Sequence, residues 1–247
     1  CLYVGNNKTH TYILPPVENL GQFGHTKYMT YNDNSTGILV ISRHAESEWN
    51  LLGKWTGLTD ISLTEKGHHE STLLGALLQD IDFDVIYTSD LQRTMQTLAG
   101  IIKGKGFETS PVFTSHKALS ERDYGELTGL NKWEVKEKVG EDEFNGIRRG
   151  WDHPVPGGET LKDVHGRAVP YFTENILPDL RAGKNVLLVS HGNTIRALMK
   201  HLEDIHEDDM ATVEMPFGQL LIYHFAPESS APRKKEVRNA DIMPPHA

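Results

Sequence analysis

Two histidines follow apolar runs in this sequence. The first run, residues 38–41, is followed within three positions by Arg43 and His44, and the second, residues 186–189, by His191. Short apolar runs bounded by polar residues are typical of buried strands. Because α/β proteins bind their ligands beyond the carboxyl ends of parallel strands, the two imidazoles are predicted to meet at one edge of a sheet.

Further polar and charged groups follow other predicted strands or lie in the adjoining loops. They are Thr56, Gly57, Arg93, Glu121, Arg148, Arg149, Gly192 and Asn193. Arginine binds phosphate oxygens through a planar, two-pronged contact. A neutral imidazole beside such cations can attack phosphorus, because the cations offset the repulsion from a phosphate dianion. A carboxylate such as Glu121 can move the proton of the oxygen that is bonded or released. The residues predict phosphoryl transfer, but they leave open whether the acceptor is a hydroxyl group or water.

The bulk composition restricts the partners of this site. The formal net charge is −9 and the sequence pI is about 5.8, which argues against nucleic acid as a partner. A small anion needs cations concentrated locally, and the arginines above provide them. No apolar run is long enough to span a membrane. A single cysteine excludes an internal disulfide framework, and the absence of a secretory signal pattern completes the prediction of a cytoplasmic protein.

Several common motifs are absent. Residues 100–106 are rich in glycine and lysine, but their spacing fits neither phosphate-binding loop, G-x-x-x-x-G-K-[ST] or G-x-G-x-x-G. The serine hydrolase pattern G-x-S-x-G and the zinc pattern H-E-x-x-H do not occur. His201 and His206, with the acidic residues 207–209, are interpreted as a solvated helix end. No metal site is therefore predicted.

The elements that must position these residues alternate between strand and helix. Strands are predicted at 38–43, 84–89, 186–190 and 219–225, and helices at about 91–103, 159–181 and 194–202. Capping-box spacing at Ser62 and Glu65 predicts the start of a further helix, and Asn131 with Glu134 predicts another that ends near Gly140. Pro170 must kink the long helix or remove one of its hydrogen bonds.

This alternation predicts an α/β fold, a three-layer sandwich in which helices flank a mostly parallel central sheet. Residues 1–36 are polar and punctuated by proline, glycine and asparagine, so they are predicted to form an N-terminal extension with little regular structure. Residues 37–247 are predicted to form one catalytic domain.

The sequence from Arg43 to Asn50, RHAESEWN, resembles the R-H-G-E-S-x-W-N signature of the histidine phosphatase superfamily, specifically its cofactor-dependent phosphoglycerate mutases. Further matching segments follow in family order: WTGLTDISLTEKG (55–67), YTSDLQRTMQT (87–97), LSERDYGELTGLNK (119–132), RRGWD (148–152), SHGNTIRAL (190–198) and RNAD (238–241). The resemblance covers residues 37–241, and so many motifs in order make it highly specific.

The resemblance implies a phosphoglycerate mutase-like fold and a phosphoenzyme. His44 would be the nucleophile, Glu121 the general acid and base, and His191 with Arg43 and Arg93 would stabilise the transferring phosphoryl group. Positions implied to bind the substrate are Asn50, Thr56, Gly57, Arg122, Tyr124, Lys132, Arg148, Arg149, Gly192 and Asn193. The enzyme would interconvert 3- and 2-phosphoglycerate in glycolysis and gluconeogenesis, with 2,3-bisphosphoglycerate as priming phosphoryl donor and no metal. A homodimer or a higher homo-oligomer is left open.

The sequence departs from the family pattern in three places. Ala45 replaces the usual glycine, which would strain the backbone if that position needs a positive φ. Asp123 stands where many members have histidine. The segment after Arg149 is short, whereas longer members insert a loop that covers the site, and less cover favours water as acceptor. One alternative is therefore a phosphatase of small phosphate esters. A second is a catalytically inactive binding protein, which only the N-terminal extension favours and against which His44, Glu121 and His191 argue.

Overall fold

The computed structural model describes residues 3–6, 9–12, 37–106 and 112–242, and it divides the chain into two compact units, residues 1–35 and 36–247. In the first unit, β1 (Tyr3–Asn6) pairs antiparallel with β2 (Thr9–Tyr12). Residues 1–2, 7–8 and 13–36 of the predicted extension lie outside the described residues.

The second unit contains a six-stranded sheet. Its strands are β3 (Gly37–Arg43), β4 (Val85–Thr88), β5 (Thr114–Ser115), β6 (Val186–Ser190), β7 (Gln219–Phe225) and β8 (Pro232–Asn239). They lie in the order β5-β4-β6-β3-β7-β8. The pairs β5–β4, β4–β6 and β6–β3 are parallel, whereas β7 pairs antiparallel with both β3 and β8. The predicted mostly parallel sheet is confirmed.

Helices cover both faces of this sheet. They are α1 (Glu48–Leu51), α2 (Glu65–Ala76), α3 (Gln92–Lys105), α4 (Lys132–Val139), α5 (Glu141–Arg149), α6 (Leu161–Tyr171), α7 (Leu177–Arg181) and α8 (Gly192–Leu202), with a π-helical turn, Phe172–Ile176, between α6 and α7. Within the described residues, no helix is long and apolar enough to cross a membrane.

Alternation along β3 explains the three layers. Leu39 and Ile41 pack in one core with α6, α7 and α8, whereas Val40 packs in a second core with α2 and α3. Successive side chains of a strand point to opposite faces, so one apolar run serves both cores. A third cluster joins α4 and α5 to the loops around Trp55 and Tyr124. The three-layer α/β sandwich is therefore confirmed.

Two of the predicted helices differ in detail from those in the structure. The capping box at Ser62 is wrong: Thr64 is the N-cap of α2, and its hydroxyl accepts a hydrogen bond from the Gly67 amide at 2.9 Å. The long helix predicted around Pro170 is interrupted, because α6 ends at Tyr171 and the π-helical turn follows. Proline lacks the amide hydrogen that a regular helix would use at this point.

Candidate active site

The ends of β3 and β6 open into a cavity of about 140 Å³. Its lining contains every predicted site residue except His191 and Arg122: Arg43, His44, Asn50, Thr56, Gly57, Arg93, Glu121, Tyr124, Lys132, Arg148, Arg149, Gly192 and Asn193. Trp55, Arg196 and Met215 also line it. Residues that are far apart in the sequence thus meet at the carboxyl ends of parallel strands, as the sheet topology predicts.

The ring of His44 is fixed by the backbone beside it. Nδ1 lies 2.7 Å from the Ala45 carbonyl oxygen, and a carbonyl can only accept, so Nδ1 carries the hydrogen and Nε2 keeps its lone pair. Burial, followed by the charges of Arg93 and Arg43, holds the pKa of His44 well below its usual value. The imidazole is therefore neutral near pH 7, the form that a nucleophile needs.

The loop after His44 is hydrogen-bonded to two helices. The Ala45 amide donates to Thr97 Oγ1 on α3 at 3.0 Å, and the Glu46 amide donates to Glu70 Oε2 on α2 at 3.2 Å. Within the described part of the chain, only Asp204 and Glu228 among non-glycine residues have a positive φ. Ala45 therefore replaces glycine without the backbone strain considered from the sequence.

His191 lies behind His44, and the two ring centroids are 5.1 Å apart. Its Nε2 shares a hydrogen bond of 2.8 Å with Ser89 Oγ, while its Nδ1 is buried without a hydrogen-bond partner among the described residues. Burial, together with Arg93, His44 and Arg43, lowers the pKa of His191 well below its usual value. An unpaired buried nitrogen beside the nucleophile is suited to a polar ligand.

Two guanidinium groups flank the histidines. Arg93 is fully buried and donates to the Thr59 and Gly57 carbonyls at 2.8 Å. Arg43 donates to the Met215 carbonyl at 2.9 Å, and its Cζ lies 3.7 Å from the Phe217 ring centroid. The Nε of each arginine is buried without a hydrogen-bond partner in the described structure. These unused donors fit a phosphate group. Burial lowers the pKa of Arg93 to about 10, so it stays charged.

Glu121 is oriented by hydrogen bonds to its carboxylate. Oε1 accepts from the Arg122 amide at 2.8 Å and from Asn193 Nδ2 at 3.0 Å, and the same Nδ2 contacts Tyr124 Oη at 2.9 Å. Arg167 supports the backbone of this loop, because it donates to the Glu121 carbonyl at 2.8 Å. The carboxylate is thus placed in the same cavity as His44, where it can exchange a proton with a bound hydroxyl group.

A second group of cations lines the cavity from α4 and α5. Lys132 begins α4, and Arg148 and Arg149 end α5. Burial, followed by the charges of Arg148 and Arg43, lowers the pKa of Lys132 to about 8. Arg149 Nη2 lies 2.5 Å from a carboxylate oxygen of Glu214. The cavity therefore offers cations at two places, beside the histidines and on these helices.

Arg122 is not part of the cavity lining. It is fully buried, and its guanidinium Cζ lies 4.4 Å from the Tyr124 ring centroid. Its role in substrate binding stays a prediction.

Arg196 was not selected from the sequence, although it lies within the segment SHGNTIRAL. It donates to Asn193 Oδ1 and to the carbonyls of Met210, Val213 and Arg149, which only the tertiary structure brings together.

The same residues could in principle offer ligands to a metal ion. One ligand atom each from His44, Glu121 and His191 lies within 4.8 Å of the others. The guanidinium groups of Arg43 and Arg93, which lower the pKa of both imidazoles, repel a cation at this point and attract an anion. The electrostatics of the cavity thus favour a phosphate.

Comparison with known proteins identifies the family of this chain. The family model described as "Histidine phosphatase superfamily (branch 1)" matches residues 39–238, and the chain belongs to this superfamily. It is 45% identical over 189 residues to a protein of Cytophaga hutchinsonii named 2,3-bisphosphoglycerate-dependent phosphoglycerate mutase, covering 76% of this chain and 88% of the relative. A relative of the same name from Xanthobacter autotrophicus is 41% identical, with 82% and 99% coverage.

A solved structure shows the same architecture. The mycobacterial glucosyl-3-phosphoglycerate phosphatase superposes with a TM-score of 0.69 at 23% identity, covering 83% of this chain and 100% of the phosphatase. At this identity the likeness concerns the fold alone.

Proposed function

We propose that this protein interconverts 3-phosphoglycerate and 2-phosphoglycerate, with a phosphoryl group carried on His44 Nε2 and 2,3-bisphosphoglycerate as the priming donor. Relatives at 45% and 41% identity bear the name of this activity. The reaction belongs to glycolysis and gluconeogenesis, and the proposal includes a cytoplasmic location and a homo-oligomer. The cavity residues described above hold the substrate, and the proposed chemistry involves no metal.

One observation carries this proposal: the cavity is lined by two sets of cations that come from different elements of the fold. Arg43 and Arg93 flank His44, whereas Lys132, Arg148 and Arg149 come from α4 and α5. A phosphoglycerate carries two anionic groups, a phosphate and a carboxylate, and each cation group can bind one of them. A general phosphatase needs only the first group.

The residues can perform both halves of the reaction. His44 Nε2 bonds to phosphorus while the bond from phosphorus to the ester oxygen breaks, and Glu121 protonates the leaving oxygen. In the reverse direction Glu121 takes the proton from a hydroxyl group, whose oxygen then bonds to phosphorus as the bond to Nε2 breaks. Arg43, Arg93 and His191 bind the oxygens of the phosphoryl group throughout.

The alternative, a phosphatase of small phosphate esters, is favoured by one feature. Only residues 150–160 connect α5 with α6, so no long segment between these helices covers the cavity. Water that reaches the phosphorylated His44 would hydrolyse it.

One assay separates the two functions. The protein is incubated with 3-phosphoglycerate, with and without catalytic 2,3-bisphosphoglycerate, and 2-phosphoglycerate and free phosphate are both measured. A mutase forms 2-phosphoglycerate in a reaction stimulated by the bisphosphate. Phosphate release without any isomer would contradict the proposal and establish the phosphatase. His44→Ala is the control, because it should abolish both products and the acid-labile phosphoenzyme.

A further inference from the structure

The segment of residues 210–217, between α8 and β7, contacts three arginines that line the cavity. The Met210 and Val213 carbonyls accept hydrogen bonds from Arg196, and the Met215 carbonyl accepts one from Arg43. These groups are neutral. Glu214 differs from them, because its carboxylate forms an ion pair with Arg149. This residue belongs to none of the motifs singled out in the sequence.

Arg149 is also exceptional among the cations of the site. Within residues 37–106 and 112–242, it is the one cavity-lining cation that forms an ion pair with a carboxylate. Arg43 and Arg93 donate to backbone carbonyls instead. The side chain of Glu214 is 60% exposed and that of Arg149 is 30% exposed, so the pair lies at the solvent-facing side of the cavity wall. The charge of Arg149 is thus already partly offset in the free protein.

We propose that Glu214 is a specificity-determining residue that weakens the binding of ligands with two phosphate groups relative to ligands with one. An anionic ligand at Arg149 must share the guanidinium with Glu214 or displace it. The repulsion between Glu214 and the ligand grows with the ligand's negative charge. It therefore acts more strongly on 2,3-bisphosphoglycerate than on 3-phosphoglycerate.

This inference rests on the proposed function, within which it explains why a carboxylate lies beside Arg149. A mutase must let a bisphosphorylated molecule change its orientation or leave before the second transfer. Binding this species too tightly would slow the exchange without stabilising the transition state. The carboxylate that pairs with Arg149 limits that affinity, while Arg43 and Arg93 donate to backbone carbonyls and keep their Nε groups available for a phosphate.

The test measures binding without turnover. Calorimetric titrations of 2,3-bisphosphoglycerate and of 3-phosphoglycerate are made in a His44→Ala background, with Glu214 unchanged or replaced. Glu214→Gln should tighten the binding of the bisphosphate by about threefold to tenfold, the size expected for one partly screened charge, and that of the monophosphate by a smaller factor. Higher salt should reduce the difference, because screening weakens exposed charges.

Two further variants make the test specific. Glu214→Asp keeps the charge and should retain most of the original preference. Glu174→Gln removes a charge from an exposed glutamate that does not line the cavity, and it should leave both affinities unchanged. The inference is overturned if Glu214→Gln changes both affinities equally or neither. The absence of isomer formation in the assay above would instead contradict the proposed function, since that assay does not involve Glu214.

Discussion

At the scale of single residues, protonation states decide what the cavity can bind. His44 and His191 are neutral because burial and the neighbouring arginines lower their pKa. Lys132 is the cation whose charge changes closest to neutral pH, because burial beside Arg148 and Arg43 lowers its pKa to about 8. The binding of an anion should therefore depend on pH on the alkaline side.

The dissociation constant of 3-phosphoglycerate should rise by about threefold to tenfold between roughly pH 7 and pH 9, because Lys132 loses its charge as the pH passes its pKa. Titration calorimetry at a series of pH values measures this change. Lys132→Arg is the matched control, since arginine stays charged throughout this range. An equal pH dependence in the two proteins would mean that another group is responsible.

At the scale of elements, the nucleophile depends on close packing between α2 and the loop after β3. A Cβ atom added to Gly67 in α2 would lie 2.1 Å from the Glu46 carbonyl oxygen. Only glycine allows the helix to approach this loop so closely. The same helix provides Glu70, which binds the Glu46 amide, so the position of α2 and that of the loop are coupled.

Gly67→Ala should lower the free energy of unfolding by about 1–3 kcal/mol, as expected for overpacking. It should also reduce the rate of phosphoenzyme formation, because the loop beside His44 must shift. Denaturant unfolding and a phosphorylation time course measure the two effects. Gly166→Ala in α6 is the control: no atom lies within 4 Å of the added Cβ, so the change should stabilise the helix by about 1 kcal/mol. A Gly67→Ala protein as stable and active as its parent would contradict the argument.

The central elements were predictable because their residues are buried. The apolar runs of β3, β6 and β7 are short, rich in valine, leucine and isoleucine, and buried in the core, as expected of central strands. The ends of β3 and β6 then place His44 and His191. By contrast, α5 was missed because EDEFNGIRR contains an internal glycine and buries only Phe144 and Ile147. The edge strand β8 was missed because PRKKEVRN is largely charged. An edge strand has one paired side and little core to fill, so its pattern is weak.

The site, like the fold, was predicted only in part from the sequence. Cavity-lining residues with a reactive or charged side chain, such as Arg43 and Glu121, have types and neighbours that suggest their roles. Arg196, Met215 and Glu214 act through the groups they touch in the folded chain, and the sequence contains no trace of those contacts. Thr64, rather than Ser62, caps α2 because the loop from β3 places Glu46 within 2.9 Å of the Thr64 hydroxyl, a tertiary contact that local spacing does not reveal.

At the scale of the whole molecule, a net charge of −9 coexists with a cavity lined by arginine and lysine. The acid residues lie mostly on the surface, and burial together with the cations of the cavity lowers the pKa of the two histidines and keeps them uncharged. This arrangement lowers the stability of the folded protein at acid pH. An unfolded histidine binds a proton at a pKa of about 6.5, whereas both folded histidines bind it only at lower pH, so the unfolded state takes up more protons in this range.

The free energy of unfolding should therefore fall as the pH drops below about 6.5, with up to about 1.4 kcal/mol per pH unit from each histidine. Chemical denaturation between roughly pH 7 and pH 5 measures the slope. His191→Gln should make it shallower, because one proton-binding site is lost from the unfolded state. His69→Gln, at an exposed position on α2, is the comparison. An unchanged slope in His191→Gln would show that other groups cause the acid sensitivity.

Arg196 has a consequence for the motions of this molecule. One buried side chain on α8 ties together Asn193, the carbonyl of Arg149 at the end of α5, and the segment that contains Met210 and Val213. If one of these parts separates alone, a buried guanidinium loses one of its hydrogen bonds, which is costly. The wall of the cavity is thus expected to open as one cooperative unit, so that a ligand enters or leaves in a single concerted fluctuation rather than through successive local ones.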